Sequence, residues 1–215
     1  MNAPSVQPDT RRPVARKFKP AVAIFATILV CFVLFAHPFL AVTLRVEADV
    51  LVVEGWIPDY MLPPAAQEFQ QGKYRLLIVS GMLDRPAGTP SSPSEAAHTA
   101  TRLAELGVSG AAIVTCPAPF TRWLRTSKSA KAVRDKIADL GITPKGINIL
   151  TAGPHGRETW VAYQHIFGGA TPIGIISLPR NNYPANRWWM SRLGWWWVTK
   201  DIFAWLKEFV FGLHT

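Results

Sequence analysis

The sequence predicts an α/β domain built on a mostly parallel sheet and preceded by one N-terminal membrane helix. Three observations carry this. Short, nearly all-apolar runs alternate with longer segments of helical spacing, the pattern of βαβ units whose sheet is covered on both faces. A glycine follows the last residue of each central helical segment, as at Gly72, Gly107, Gly141 and Gly168. Ahead of all of these, Ala21–Leu44 is apolar and ends at Arg45, longer than the ~20 residues a bilayer core requires.

The first residues are rich in Pro, Arg, Ser and Gln and read as a disordered tail. Arg11, Arg12, Arg16, Lys17 and Lys19 stand there against Asp9 alone, so this tail carries +4 of the chain's formal +9 and leaves +5 on the rest. No basic cluster of that density follows Leu44. The positive-inside rule then keeps the amino terminus cytoplasmic and translocates the remainder. A cleaved signal peptide and a buried core helix are the alternatives. The run is longer than a usual signal h-region, and core helices rarely stay apolar on every face. Pro38 marks a kink or an early end.

Ala48–Val53 reads as a buried strand, and Tyr60–Gln71 as a helix. Arg75–Ser80 is a second strand, and Gly81–Pro93 is a loop rich in Gly, Pro and Ser. Ser94 caps a helix reaching Leu106. Ala111–Cys116 is a third strand and Pro117–Leu124 is irregular. Thr126–Leu140 is a basic amphipathic helix, Ile147–Ala152 a fourth strand, Gly156–Phe167 a helix and Pro172–Leu178 a fifth strand. The last thirty or so residues carry Trp188, Trp189, Trp195, Trp196, Trp197 and Trp205 among Arg187, Arg192, Lys200 and Lys207. They form either a terminal helix packed on the domain or an interfacial helix. Asp201 and Glu208 dilute the basic face and favour packing.

Cys31 lies in the apolar run and Cys116 at a strand end, so no disulfide framework is implied. The basic excess favours anionic partners such as phosphates or lipid headgroups. Zinc-finger, helix-turn-helix and RNA-binding signatures are missing, which argues against nucleic acid. The sequence also lacks a nucleophile elbow, Walker loop, HExxH and dinucleotide fingerprint, and His and Cys do not cluster at metal spacing. We therefore expect no metal, and no cofactor is specified.

Four motifs fall where a strand hands over to a helix, the edge at which open parallel sheets gather their ligands. Glu54-Gly55-Trp56 follows the first strand; Glu54 is either a base or hydroxyl acceptor, or a carboxylate that caps the next helix or pairs with an Arg. Ser80-Gly81 is either a phosphate-binding turn or an ordinary strand end. Glu95, in the first turn after Ser94, either orients Arg125 or a sugar hydroxyl, or serves the helix dipole. Arg125, Thr126 and Ser129 open a helix and suit an anion. His155, between Gly153 and Gly156 and next to Arg157, is the acid/base candidate; Arg125 and Arg157 would clamp the anion. His98 and His165 read as structural.

In this order the apolar strand with Glu54-Gly55-Trp56, Ile78-Val79-Ser80-Gly81, Ser94-Glu95-Ala96, Arg125-Thr126 with Ser129, and Pro154-His155 with Arg157 resembles the YdcF/SanA/ElyC-like family, known as domain of unknown function 218. The resemblance covers roughly 49–178. It implies a Rossmann-like three-layer sandwich, an anchor in the bacterial inner membrane with the domain outside, and a role in envelope polysaccharide or peptidoglycan metabolism. The arginines, glycine turns and helix amino ends lead us to expect an anionic, phosphate-bearing ligand, which the resemblance would make an envelope precursor, and membrane lipid is the expected partner of the anchor. The chain departs from the family where Glu158 replaces a common Arg, where Ala130 follows Ser129, and where the first turn carries Gly55 alone. The expected organisation is a basic cytoplasmic tail over 1–20, the membrane helix over 21–44, the YdcF-like domain over 45–180, and the Trp-rich segment over 181–215. A non-catalytic binding or scaffold module is the alternative to an enzyme.

Overall fold

The computed structural model describes residues 18–83 and 94–212. The tail before Phe18, most of the Gly81–Pro93 loop and the residues after Gly212 lie outside them. The chain divides into two compact units, residues 1–36 and 37–215. The described part of the first is helical, the beginning of α1 (Phe18–Leu40), whose last four residues belong to the second. Its Pro20–Leu40 stretch, with mean hydropathy 2.4, is long and apolar enough to cross a membrane. Pro38 lies inside the helix. The helix ends at Leu40 rather than at Leu44, because the following residues are drawn onto the edge of the sheet.

The second unit is an α/β domain around a five-stranded sheet: β1 (Val50–Glu54), β2 (Leu76–Met82), β3 (Ile113–Ala118), β4 (Ile147–Ala152) and β5 (Ile173–Leu178). Every strand pairing is parallel, and the order is β3-β2-β1-β4-β5. All residues of β1, β2 and β4 are buried, as expected where both faces are covered. Between the strands run α2 (Leu62–Gln71), α3 (Glu95–Glu105), α4 (Arg125–Asp139) and α5 (Gly156–Phe167). Side-chain alternation along β1 divides the core. Leu51 and Val53 pack with Ala65 of α2 and Ala96 and Leu103 of α3. Val50 and Val52 face Ala130 and Val133 of α4 and Tyr163 of α5. The fifth helix ends at Gly168, whose φ of 62° is one that L side chains resist.

Two strands run further than their composition suggests. β2 continues through Ser80 and Gly81 to Met82, paired with β3, so Ser80-Gly81 is extended strand and not a turn. β3 includes Pro117, opposite Gly81. Proline is tolerated there because β3 is an edge strand and its missing N–H deprives no neighbour. Beyond β5, residues 185–190 form 3-10 turns, and α6 (Arg192–Phe211) packs against α5. Ser191 caps α6 by accepting a hydrogen bond from the Gly194 N–H at 3.4 Å.

The segment after α1 is tied to β5 and β4. Leu44 pairs antiparallel with Ile175 through hydrogen bonds of 2.7 and 2.8 Å. The Ser177 hydroxyl donates to the Val42 carbonyl at 2.6 Å. Asn148, buried in β4, accepts from the Val46 N–H and donates to the Val46 carbonyl, each at 3.0 Å. These bonds satisfy a polar side chain that would otherwise be costly to bury. Cys31 and Cys116 are both free.

Candidate functional site

The chain leaves β1 toward one neighbour and β4 toward the other, so the helices that follow diverge and open a crevice at the carboxyl edge of the sheet. A cavity of about 420 Å³ lies there. Glu54, Ser80 and Gly81 from β1 and β2 line it, with Glu95 from the first turn of α3. Arg125, Thr126 and Ser129 from the start of α4 and His155 after β4 complete the sequence-selected set. Convergence on one crevice, expected from the motif positions, is therefore what the structure shows for these eight residues.

His155 closes a 3-10 turn begun by Gly153. Gly153 adopts a φ of 56° and lets the Arg180 side chain pack against it. One turn later, Glu158 lies on the same side of α5 as the imidazole. His155 Nδ1 is 3.1 Å from Glu158 Oε2 and 3.6 Å from Asp201 Oδ1 of α6. Asp201 is 0 % exposed and also pairs with Lys200 Nζ at 2.9 Å. Burial disfavours charge on the imidazole, but the Glu158 and Asp201 carboxylates outweigh it and hold the His155 pKa well above its ordinary value. Burial likewise opposes ionisation of Glu158 and Asp201, and the imidazolium overrides it and lowers both. The ring of Trp56 stands edge-on to the imidazole, with centroids 4.9 Å apart.

Glu54 lies deeper. It accepts hydrogen bonds from the Thr151 hydroxyl on β4 and, at 3.2 Å, from the Thr159 hydroxyl on α5. Burial raises its pKa despite the nearby imidazolium. It caps no helix; its hydrogen-bond partners are these two hydroxyls, and it lines the crevice from the end of β1. On the other carboxylate, Glu158 Oε1 accepts from the Thr126 hydroxyl at 3.0 Å, which ties α4 to α5. Ser127 donates to Glu208 of α6. Burial raises the Glu208 pKa.

The rim is basic. Arg125 is exposed, and Arg122, Lys200 and Lys207 line the cavity with it. Leu124, just before α4, takes a left-handed φ of 47°, a conformation costing a non-glycine residue about 1–3 kcal/mol. Leu124 is buried, and its packing holds the turn that sets Arg125 at the amino end of α4. The site is thus an acidic, buried floor gripping one imidazolium beneath a cationic mouth at a helix amino terminus.

Three sequence-selected residues lie off the cavity. Gly55 packs against Ala96 and Ser80, where a Cβ would crowd the α3 backbone. Gly153 shapes the turn without lining the crevice. Arg157 points the other way: its Nε donates to the Phe39 carbonyl at 2.9 Å, and its guanidinium lies 4.3 Å from the Phe39 ring centroid. Helical geometry puts positions 155 and 158 on one face of α5 and 157 on another, so Arg157 cannot join Arg125 in a clamp.

Sequence reasoning missed Glu158, Asp201 and the α6 wall of Trp197, Lys200, Ala204 and Lys207. A signal was present. Trp197 and Ala204, Lys200 and Lys207, and Asp201 and Glu208 are each seven apart, so together they occupy neighbouring stripes of one helix. Asp201 and Glu208, taken from the sequence as charges diluting a surface, are both fully buried. The ligand atoms of His155, Glu158 and Asp201 lie within 4.8 Å of one another and could hold a metal ion; an ion there would take the place of the imidazolium proton. No protein-family model matches the chain, and no curated protein matches it.

Proposed function

We propose that this is a membrane-anchored, extracytoplasmic domain of the YdcF/SanA/ElyC-like kind, with a Rossmann-like three-layer fold. In this reading it binds an anionic, phosphate-bearing ligand of bacterial cell-envelope metabolism in the strand-end crevice. The observation that carries it is the cationic mouth: Arg122, Arg125, Lys200 and Lys207 around the amino end of α4, above a charged His155. Helix amino termini and arginines are suited to phosphate oxygens. With Nδ1 held by two carboxylates, Nε2 of His155 is the nitrogen left to serve the ligand. It would give a proton to a departing oxygen, and Glu54 and Glu95 would handle hydroxyls.

A non-catalytic binding module is the second reading, and one observation favours it. An imidazole kept protonated by Glu158 and Asp201 is a standing cation and a poor base. Titration of the full chain in detergent with phosphate-bearing envelope precursors tests the common part. Arg125→Ala is expected to weaken binding by about 1–3 kcal/mol, and added salt to weaken it further. Equal binding by mutant and wild type, or none by either, removes the site as drawn. Turnover that disappears in His155→Ala separates enzyme from binder.

The orientation has its own check. A topology reporter fused after Thr215 is expected to read as extracytoplasmic. A cytoplasmic readout overturns both the orientation and the envelope assignment.

A further inference from the structure

Helix α6 has three kinds of surface. Successive residues of a helix turn by about 100°, so its sides can be taken in order. Gly194 and Val198 are buried on the side facing the domain. Trp197, Lys200, Ala204 and Lys207 line the cavity. The third side is apolar and open to solvent: Trp196, Phe203, Leu206, Phe209 and Val210 are each more than two-fifths exposed, and Phe203 reaches 71 %. A continuous apolar strip of this kind on one helix requires a reason.

The end of α1 indicates what covers it. Phe39 stacks edge-on against Trp205 of α6 at 5.0 Å, and Trp205 lies 6.0 Å from Phe209. Phe39 is also the penultimate residue of the helix that is apolar enough to span a membrane. Leu40, the last residue of that helix, is fully buried in the domain. The end of that apolar stretch therefore touches Trp205, and Phe209 is the next ring along α6. Lys200 and Lys207 border the strip on the cavity side, where lysines can reach anionic headgroups while their stems lie on apolar surface.

We propose that the open face of α6 docks on the bilayer surface, with its aromatic and aliphatic side chains at the boundary between headgroups and acyl chains. This rests on the reading of α1 as a membrane anchor. The docking face and the wall of the crevice then belong to one helix.

The test uses the full chain, with Cys31 and Cys116 replaced by Ala, reconstituted in vesicles of phosphatidylcholine alone or mixed with phosphatidylglycerol. A fluorophore is attached at Phe203→Cys, at Val210→Cys, at Ile28→Cys within the span, or at Arg134→Cys on exposed α4. Lipids carrying a quencher at shallow or deep positions are then added. The expected result is strong shallow quenching at 203 and 210, deep quenching at 28 and none at 134, with greater loss at 203 and 210 when phosphatidylglycerol is present. Quenching at 28 without quenching at 203 and 210 overturns the docking and leaves the anchor standing. Absence of quenching at 28 overturns the anchor, and the docking with it. Shielding of 203 without lipid quenching, accompanied by 203–203 disulfides between copies, assigns the face to a second copy of the chain and also overturns the proposal.

Discussion

His155→Ala is expected to destabilise the domain by about 3–5 kcal/mol at neutral pH, because it leaves Glu158 and Asp201 buried with their principal counter-charge removed. The pH dependence makes the result specific. The raised pKa of His155 means its stabilising contribution is complete below the ordinary histidine value and is lost as pH rises through the higher folded value. Wild type should therefore lose stability on the alkaline side, and the mutant should lack that decline. Glu158 and Asp201 are lowered in the folded protein, so their contribution is present above the ordinary carboxylate range and disappears as pH falls through the folded values. In the mutant, burial dominates both carboxyls and they take up protons at higher pH. The gap between the two proteins should accordingly narrow in acid. Urea unfolding of both proteins across this range is the measurement. A loss below about 1 kcal/mol, the scale of an exposed pair, or a gap that does not vary with pH, would contradict the buried imidazolium.

The second large effect is expected at Gly194. A Cβ there would strike the carbonyl oxygen of Trp188, a backbone atom held in the turn before α6. The helix must shift, so Gly194→Ala should cost about 3 kcal/mol and lower Tm by roughly 6–12 °C. Because α6 supplies Trp197 and Lys200 to the cavity, ligand binding should fall beyond what the stability loss explains. Thermal unfolding alongside an anion titration would show both. An unchanged Tm would mean that α6 is loosely seated and that the wall it forms is not a fixed part of the site.

Much of the fold was legible in composition and spacing. β4 and α5 have the bounds their apolar pattern suggests, and Ser94 caps α3 by accepting from the Ala97 N–H. These features are local, set by strand burial, capping and helix-stopping glycines. His155 was legible for a related reason: a strand-to-helix turn in a parallel sheet opens on the ligand edge whatever the details. The partners of His155 were not. Asp201 and Glu208 share a seven-residue stripe, but that spacing does not say which stripe is buried; the packing of α6 against α5 makes these two acids interior. Arg157 failed in the opposite sense. Its neighbourhood to His155 in sequence suggested a shared target, and one residue of helical rotation sends it to Phe39. The extent of β2 and β3 was hidden because Gly81 and Pro117 are usual breakers, acceptable here only through their positions in the sheet.

The strap that joins Val42, Leu44 and Val46 to Ser177, Ile175 and Asn148 has a consequence for biogenesis. Its two halves are made at opposite ends of synthesis: Leu44 appears soon after the apolar helix, whereas Ile175 follows 131 positions later. A chain that emerges amino end first cannot close this edge until β5 is available. Residues 42–44 must therefore wait for their β5 partners while the rest of the sheet assembles. The hydrogen bonds that close this edge are thus among the last the domain can form, so a segment made early is fastened late.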